Sequence, residues 1–285
     1  MSIFPTRVLF ATDGSKDAEL AATTAVGLTK VTGSELHLVH VGSMVPEHFE
    51  PTEVEPARMK REAETILDEQ TKKVENMGGA AQSHLAMGAA AERVVALAEE
   101  LGADLVVVGS RGVGPLRRAL MGSVSDSVVR HAHCPVLIVR EEPIVFPTRI
   151  LLATDGSEEA ELAARAVVEV SGETSSELHL VYVAPFVPMY FAATEEEPTR
   201  LAREGRRLLD EQARRIEAAG GNVAQTHLRL GAAAEEIVAL AEDTGAGLIA
   251  LGSRGRGGIR RALMGSVSDA VVRHAHCPVL IARGN

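Results

Sequence analysis

"DLVVVGSRGVGPLRRALMGSVSD" spans Asp104–Asp126, and "GLIALGSRGRGGIRRALMGSVSD" spans Gly247–Asp269. Each phrase opens on a short, continuous apolar run. Such a run reads as a strand buried on both faces, the kind found in parallel sheets. Each then turns through a glycine- and arginine-rich loop. Each ends on Gly-Ser at the head of an amphipathic segment. In the first copy that segment is "SVSDSVVRHAHC", a helix that must stop before Pro135. Strand, glycine loop and helix, met twice, point to two α/β units.

The repetition extends outward from these phrases. "RVLFATDGS" at Arg7 recurs as "RILLATDGS" at Arg149, and "ELHLVHV" at Glu35 recurs as "ELHLVYV" at Glu177. Segments 109–139 and 252–282 align without a gap, with 26 of 31 positions identical. The offset changes from 142 to 143 near "GGNVAQ", so the second copy carries one extra residue there. A period this long is a duplicated domain, not a solenoid. We divide the chain into residues 1–142 and 143–285, joined by "EEPIVFPT", a short link with two prolines.

Within each half, strands and helices alternate. The first half reads as "RVLFAT" (strand), "AELAATTAVGLTKVTG" (helix closed by Gly33) and "ELHLVHV" (strand). "PARMKREAETILDEQTKKVENMGG" (helix), "QSHLAMG" (weaker strand) and "AAAERVVALAEELGA" (helix closed by Gly102) follow. "DLVVVGS", the helix above and the strand "PVLIVR" complete it. Five strands and four helices in each half predict a mostly parallel sheet covered on both faces.

Composition narrows the function. The 285 residues are 46% hydrophobic and 3% aromatic without tryptophan, so the core is aliphatic. The net charge of -10 disfavours non-specific nucleic-acid binding. No apolar run approaches a membrane span, and "MSIFPTRVLF" lacks the features of a signal peptide, so a cytoplasmic protein is expected. Cys134 and Cys277, each in "HAHCPVLI", read as small buried apolar residues. The histidines beside them read as helix-end residues, and no metal site is expected. His84 and His227 read as structural. Four of the eight aromatic residues, Tyr182, Phe186, Tyr190 and Phe191, cluster in "YVAPFVPMYF", whereas the first half has only Phe49 in the matching stretch. We expect that segment to flank the second site or to form a contact between chains.

The glycine phrase runs Gly109, Gly112, Gly122-Ser123, and again Gly252, Gly255, Gly265-Ser266. It is neither a Walker A loop nor G-x-G-x-x-G. Its logic still suits an anion. Glycines bring backbone N–H groups close, and a helix N-terminus adds unpaired donors. Ser123 and Ser125 could add hydroxyls, and Arg111, Arg117 and Arg118 add charge. The alternative is structural: "SVSD" has capping-box spacing, with Ser123 as cap and Asp126 as its partner. Asp13 and its copy Asp155, each ending a first strand in "ATDGS", are turn residues or ligands of a ribose or base.

"ATDGS", the spaced glycine phrase and "HCPVLIV" together resemble the universal stress protein family over almost the whole chain, in tandem form and in its ATP-binding branch. The resemblance implies two Rossmann-like (adenine nucleotide alpha hydrolase-like) domains, each a five-stranded parallel sheet of order 3-2-1-4-5. It implies ATP, with Mg or Mn, held by Asp13, Val41, Gly109, Arg111, Gly112, Gly122, Ser123 and Val124. The second set is Asp155, Val183, Gly252, Arg254, Gly255, Gly265, Ser266 and Val267. It implies pairing of the last strands, so an intramolecular pseudo-dimer or a homodimer. The function implied is that of an ATP-binding stress-response sensor or regulator. A slow metal-dependent ATPase and a nucleotide-free interaction scaffold are the alternatives. No catalytic residue is assigned, and no nucleic-acid or membrane partner is expected.

Overall fold

The computed structural model describes residues 4–43, 54–112, 121–140, 148–185, 197–256 and 264–284. The chain divides into two compact units, Met1–Val145 and Phe146–Asn285. In the first, the elements are β1 (Arg7–Thr12), α1 (Lys16–Thr32), β2 (Glu35–Gly42), α2 (Val54–Asn76) and β3 (Ala81–Met87). They continue with α3 (Ala90–Leu101), β4 (Leu105–Gly109), α4 (Ser123–His131) and β5 (Val136–Val139). The second unit repeats them as β6 (Arg149–Ala153), α5 (Glu158–Thr174), β7 (Glu177–Ala184), α6 (Glu197–Ala218) and β8 (Val223–Leu230). It closes with α7 (Ala233–Thr244), β9 (Leu248–Gly252), α8 (Ser266–His274) and β10 (Val279–Ala282).

Each unit builds one parallel sheet. The strand order is β3-β2-β1-β4-β5 in the first and β8-β7-β6-β9-β10 in the second, the 3-2-1-4-5 order expected. The central strands carry the core: Val8, Leu9 and Phe10 of β1 and Val106 and Val107 of β4 are wholly buried, as are Ile150, Leu151 and Leu152 of β6. The inner face of α1 is Ala18, Ala21, Ala22 and Ala25, all buried. Small side chains let that helix lie close to β1 and β4. Arg7 ties three elements together. Its Nε donates to Glu35 Oε2 at 2.9 Å, and its Nη1 donates to the Leu101 carbonyl at the end of α3, where a cation suits the free carbonyls.

One detail departs from the sequence reading and a second makes it definite. The helix expected to run to Cys134 ends at His131, because Ala132 leaves helical geometry (φ -59, ψ 141) ahead of Pro135. The extra residue of the second copy has a definite place. Leu178 pairs with Val223 and His179 with Gln225, so Ala224 is skipped in a bulge of β8. Residues 141–147 of the joining segment lie outside the described residues.

Candidate functional site

β1 and β4 are neighbours whose connections leave in opposite directions, the place where open α/β sheets build crevices. Asp13 follows β1 directly. It is held by its own turn: Ser15 N donates to Asp13 Oδ1 at 3.0 Å, and Gly14 takes φ 76. Ser15 then caps α1, its Oγ accepting from Ala18 N at 3.2 Å. The same hydroxyl donates to the Arg111 carbonyl at 3.2 Å, which ties the β1 turn to the loop after β4.

The glycines of that loop answer to steric demands. A Cβ on Gly109 would lie 2.7 Å from the Asp17 carbonyl carbon and 2.8 Å from Ala18 N, so the first turn of α1 sits on it. A Cβ on Gly112 would collide with Asp13 Oδ2. Gly122 N donates to the Ser110 carbonyl at 2.8 Å, and a Cβ there would be 3.2 Å from Ser125 Oγ. Asp13, Gly109, Arg111, Gly112 and Gly122 are thus brought together at one sheet end.

The second unit repeats this. Ser157 N donates to Asp155 Oδ1 at 3.0 Å, and Ser157 Oγ donates to the Arg254 carbonyl at 3.3 Å. Arg256 N donates to Asp155 Oδ2 at 2.8 Å, and a Cβ on Gly255 would again strike that oxygen. Gly252 lies under α5 with a virtual Cβ 2.8 Å from Ala160 N, and Gly265 N donates to the Ser253 carbonyl at 2.8 Å.

The cap of α4 differs from the capping-box alternative. The N-cap is Gly122 (φ -73, ψ 149), without a side-chain cap bond, and Ser123 is the first helical residue and exposed. Gly265 and Ser266 repeat this. A side chain at the cap would be crowded: a Cβ would lie 3.2 Å from Ser125 Oγ at Gly122 and 3.3 Å from the Ser253 carbonyl oxygen at Gly265. Asp126 instead pairs with Arg130, Nε to Oδ2 at 2.9 Å. These helices therefore begin with backbone donors that no cap side chain meets. Ser125, offered above as a hydroxyl donor to an anion, turns inward: it is buried and donates to the Ser110 carbonyl at 3.1 Å. Val124 and Val267, one residue further along, are 42% and 38% exposed, so apolar side chains face outward at this helix end. Val41 and Val183 are half-buried near the ends of β2 and β7. Because Thr12 pairs with His40, Val41 lies one residue past that pair, level with Asp13.

Arg111 and Arg254, expected beside an anion, each also meet a carboxylate of the neighbouring helix. Arg111 Nε is 3.2 Å from Asp17 Oδ2, and Arg254 Nη2 is 2.8 Å from Glu159 Oε1. Asp17 and Glu159 were not singled out from the sequence. The signal available was an acidic residue at the same place in the first turn of both copies. Arg117, Arg118, Phe49, Phe186, Tyr190 and Phe191 lie outside the described residues.

The "HAHC" residues diverge. His131 Nδ1 bonds the Ser127 carbonyl at 2.8 Å, His133 Nδ1 is 3.6 Å from Glu99 Oε1, and Cys134 is buried. Burial pushes the Cys134 thiol up to about 12, the behaviour of an inert core residue. Among the described residues no cluster of His, Cys, Asp or Glu is arranged to hold a metal ion. His84, by contrast, has a specific partner: His37 Nδ1 and His84 Nε2 are 3.0 Å apart with stacked rings, and His179 and His227 repeat the arrangement at 3.0 Å.

A family model described as the universal stress protein family matches residues 5–140 and again 147–283. The chain belongs to the universal stress protein family. Universal stress protein Rv2005c of Mycobacterium tuberculosis (strain ATCC 25618 / H37Rv) is 33% identical over 196 residues, covering 64% of this chain and 62% of that protein. The match thus spans about three-fifths of the length of that relative. Universal stress protein YxiE of Bacillus subtilis (strain 168) is 36% identical over 149 residues, 47% of this chain and 98% of that protein. The crystal structure of a universal stress protein from Archaeoglobus fulgidus DSM 4304 superposes with a TM-score of 0.75 at 25% identity. The superposition covers 98% of this chain and 96% of that one. No helix among the described residues of this universal stress protein is long and apolar enough to cross a membrane.

Proposed function

We propose that this universal stress protein binds ATP, one molecule in each unit, at the carboxyl ends of β1, β2 and β4 and of β6, β7 and β9. The observation that carries the reading is the glycine-capped start of α4 and α8. Each opens without a cap side chain, on a loop whose glycine touches the aspartate of the neighbouring strand. Phosphates belong at the helix start, where N–H donors and the helix dipole favour negative charge. Asp13 and Asp155 belong at the other end of the ligand, accepting from ribose or base, because a carboxylate repels phosphate. Mg²⁺ or Mn²⁺ would travel on the phosphates. The cell's ATP pool makes this a cytoplasmic sensor or regulator in the stress response, with binding rather than turnover as its output.

Calorimetric titration with ATP and Mg²⁺ tests this. Binding at two sites per chain is expected, and Asp13→Ala with Asp155→Ala should weaken both at least tenfold. The absence of heat, together with no thermal shift at millimolar ATP, would overturn the reading.

A further inference from the structure

The two glycine loops are fastened to the neighbouring helix by carboxylates of different length. In the first unit Asp17 Oδ2 accepts from Ser110 Oγ at 2.7 Å and from Arg111 Nε at 3.2 Å. One short side chain holds both residues that follow β4. In the second unit Glu159 stands at the equivalent place, with one more methylene. Its Oε1 meets Arg254 Nη2 at 2.8 Å. Ser253 Oγ and Arg254 Nε are left buried with no hydrogen-bond partner among the described residues, and Ser253 is wholly inaccessible.

The backbones around these residues match. Ser110 N and Ser253 N donate to the Val139 and Ala282 carbonyls at 2.8 and 2.7 Å, and Gly109 and Gly252 lie equally close to their helices. Among these described contacts, the carboxylate and what it holds differ between the two loop bases.

We propose that Asp17 and Glu159 are positioning residues that set how firmly the base of each glycine loop is held, and so make the two nucleotide sites unequal. This rests on the nucleotide reading above. A buried donor without an acceptor raises the energy of the closed arrangement. Any shift that lets Ser253 Oγ or Arg254 Nε reach water or a phosphate oxygen is therefore favoured in the second unit. Asp17 removes that gain in the first. Burial and the Arg254 charge push Arg283 below the ordinary arginine range, with Glu159 opposing. The first site is preformed, and the second gains order when phosphate arrives.

Amide hydrogen exchange by NMR on the full chain tests the clamp. The amides of Ser110 and Gly122, and of Ser253 and Gly265, are bonded at the loop bases and report their opening. Protection in the second pair should be at least threefold lower than in the first without ATP, and the gap should close when ATP is added. Glu159→Asp should raise the protection of Ser253 and Gly265 towards that of the first pair, and Asp17→Glu should lower the first pair. ATP titration should resolve two affinities at least fivefold apart, merging in Glu159→Asp. Equal protection in the parent protein, no response to Glu159→Asp, or equal affinities would overturn the clamp. A chain that binds no ATP would overturn the nucleotide reading, and the exchange comparison would still decide whether the carboxylate length matters.

Discussion

The two units solve one packing problem from opposite sides. In the first, strand β2 supplies the small residue where α2 crosses it: a Cβ on Gly42 would lie 2.7 Å from Ala63 Cβ and 2.8 Å from Met87 Sδ. In the second, the strand residue is Ala184 and the helix supplies Gly205, where a Cβ would lie 2.7 Å from both Tyr182 Cδ1 and Leu228 Cδ1. Tyr182 stands where the first unit has His40, a buried residue whose Nδ1 bonds the Thr12 carbonyl at 2.9 Å. The glycine at this helix–strand contact sits on the strand in one unit and on the helix in the other. Close packing explains this, since a methyl group gained on one side must be lost on the other.

Substitutions can break or sharpen this comparison. The largest effect is expected where the units agree. Gly109→Ala or Gly252→Ala forces a methyl group into the backbone of α1 or α5, and each should cost about 3 kcal/mol in urea unfolding. Next come the positions where they differ. Gly205→Ala should cost about 2 kcal/mol through its clash with the Tyr182 ring. Tyr182→His, Ala184→Gly and Gly205→Ala together recreate the first unit's solution and should recover most of it. A triple variant no better than Gly205→Ala would show that the two solutions are not interchangeable.

The histidine pairs, which the units share, set a pH dependence. Burial lowers His37, His84, His179 and His227 below 6.5, and for His37 the His84 charge adds to it. A group held neutral in the folded state takes its proton first in the unfolded chain. Stability contributed by these residues is therefore unaffected above pH 6.5 and falls as pH drops below it. The urea midpoint should decline from pH 7.5 to 5.5, and the decline should shrink in His84→Gln with His227→Gln. The smallest effect lies at the end of the first helix. Gly33 ends α1 at φ 70, whereas Ser175 ends α5 at φ 55, a left-handed position that disfavours a side chain. Ser175→Gly should stabilise by about 1 kcal/mol, read by thermal denaturation.

Much of this was legible in the sequence because the deciding features are local. Apolar runs of strand length, Gly33 and Gly102 as helix stops, and the repeated glycine phrase lead to two mostly parallel α/β units, whose strand order is what the family resemblance implies. The approach of Gly112 to Asp13 also follows from where strands one and four sit. What the sequence hid is set by long-range contacts. "SVSD" has the spacing of a capping box, yet the helix begins one residue earlier than that spacing implies, with Gly122 as its cap. The Asp17–Ser110 bond joins residues 93 apart, and His37–His84 joins residues 47 apart. Neither spacing has a periodic signature. For Arg111 the sequence shows only its charge, not the Asp17 carboxylate on α1 that it meets.

The bulge at Ala224 has a consequence for how such a chain tolerates length changes. The extra residue enters β8 between Val223 and Gln225, upstream of His227, and the register recovers at once. The imidazole contact downstream keeps the 3.0 Å separation of the unit that lacks the insertion. An outer strand can thus store one residue of slack and hand an unshifted alternation of side chains to everything after it. For anyone engineering this protein, position 224 is a graft point that the chain has already tried. A residue or reporter placed there should leave the crevice at the other end of the sheet in register.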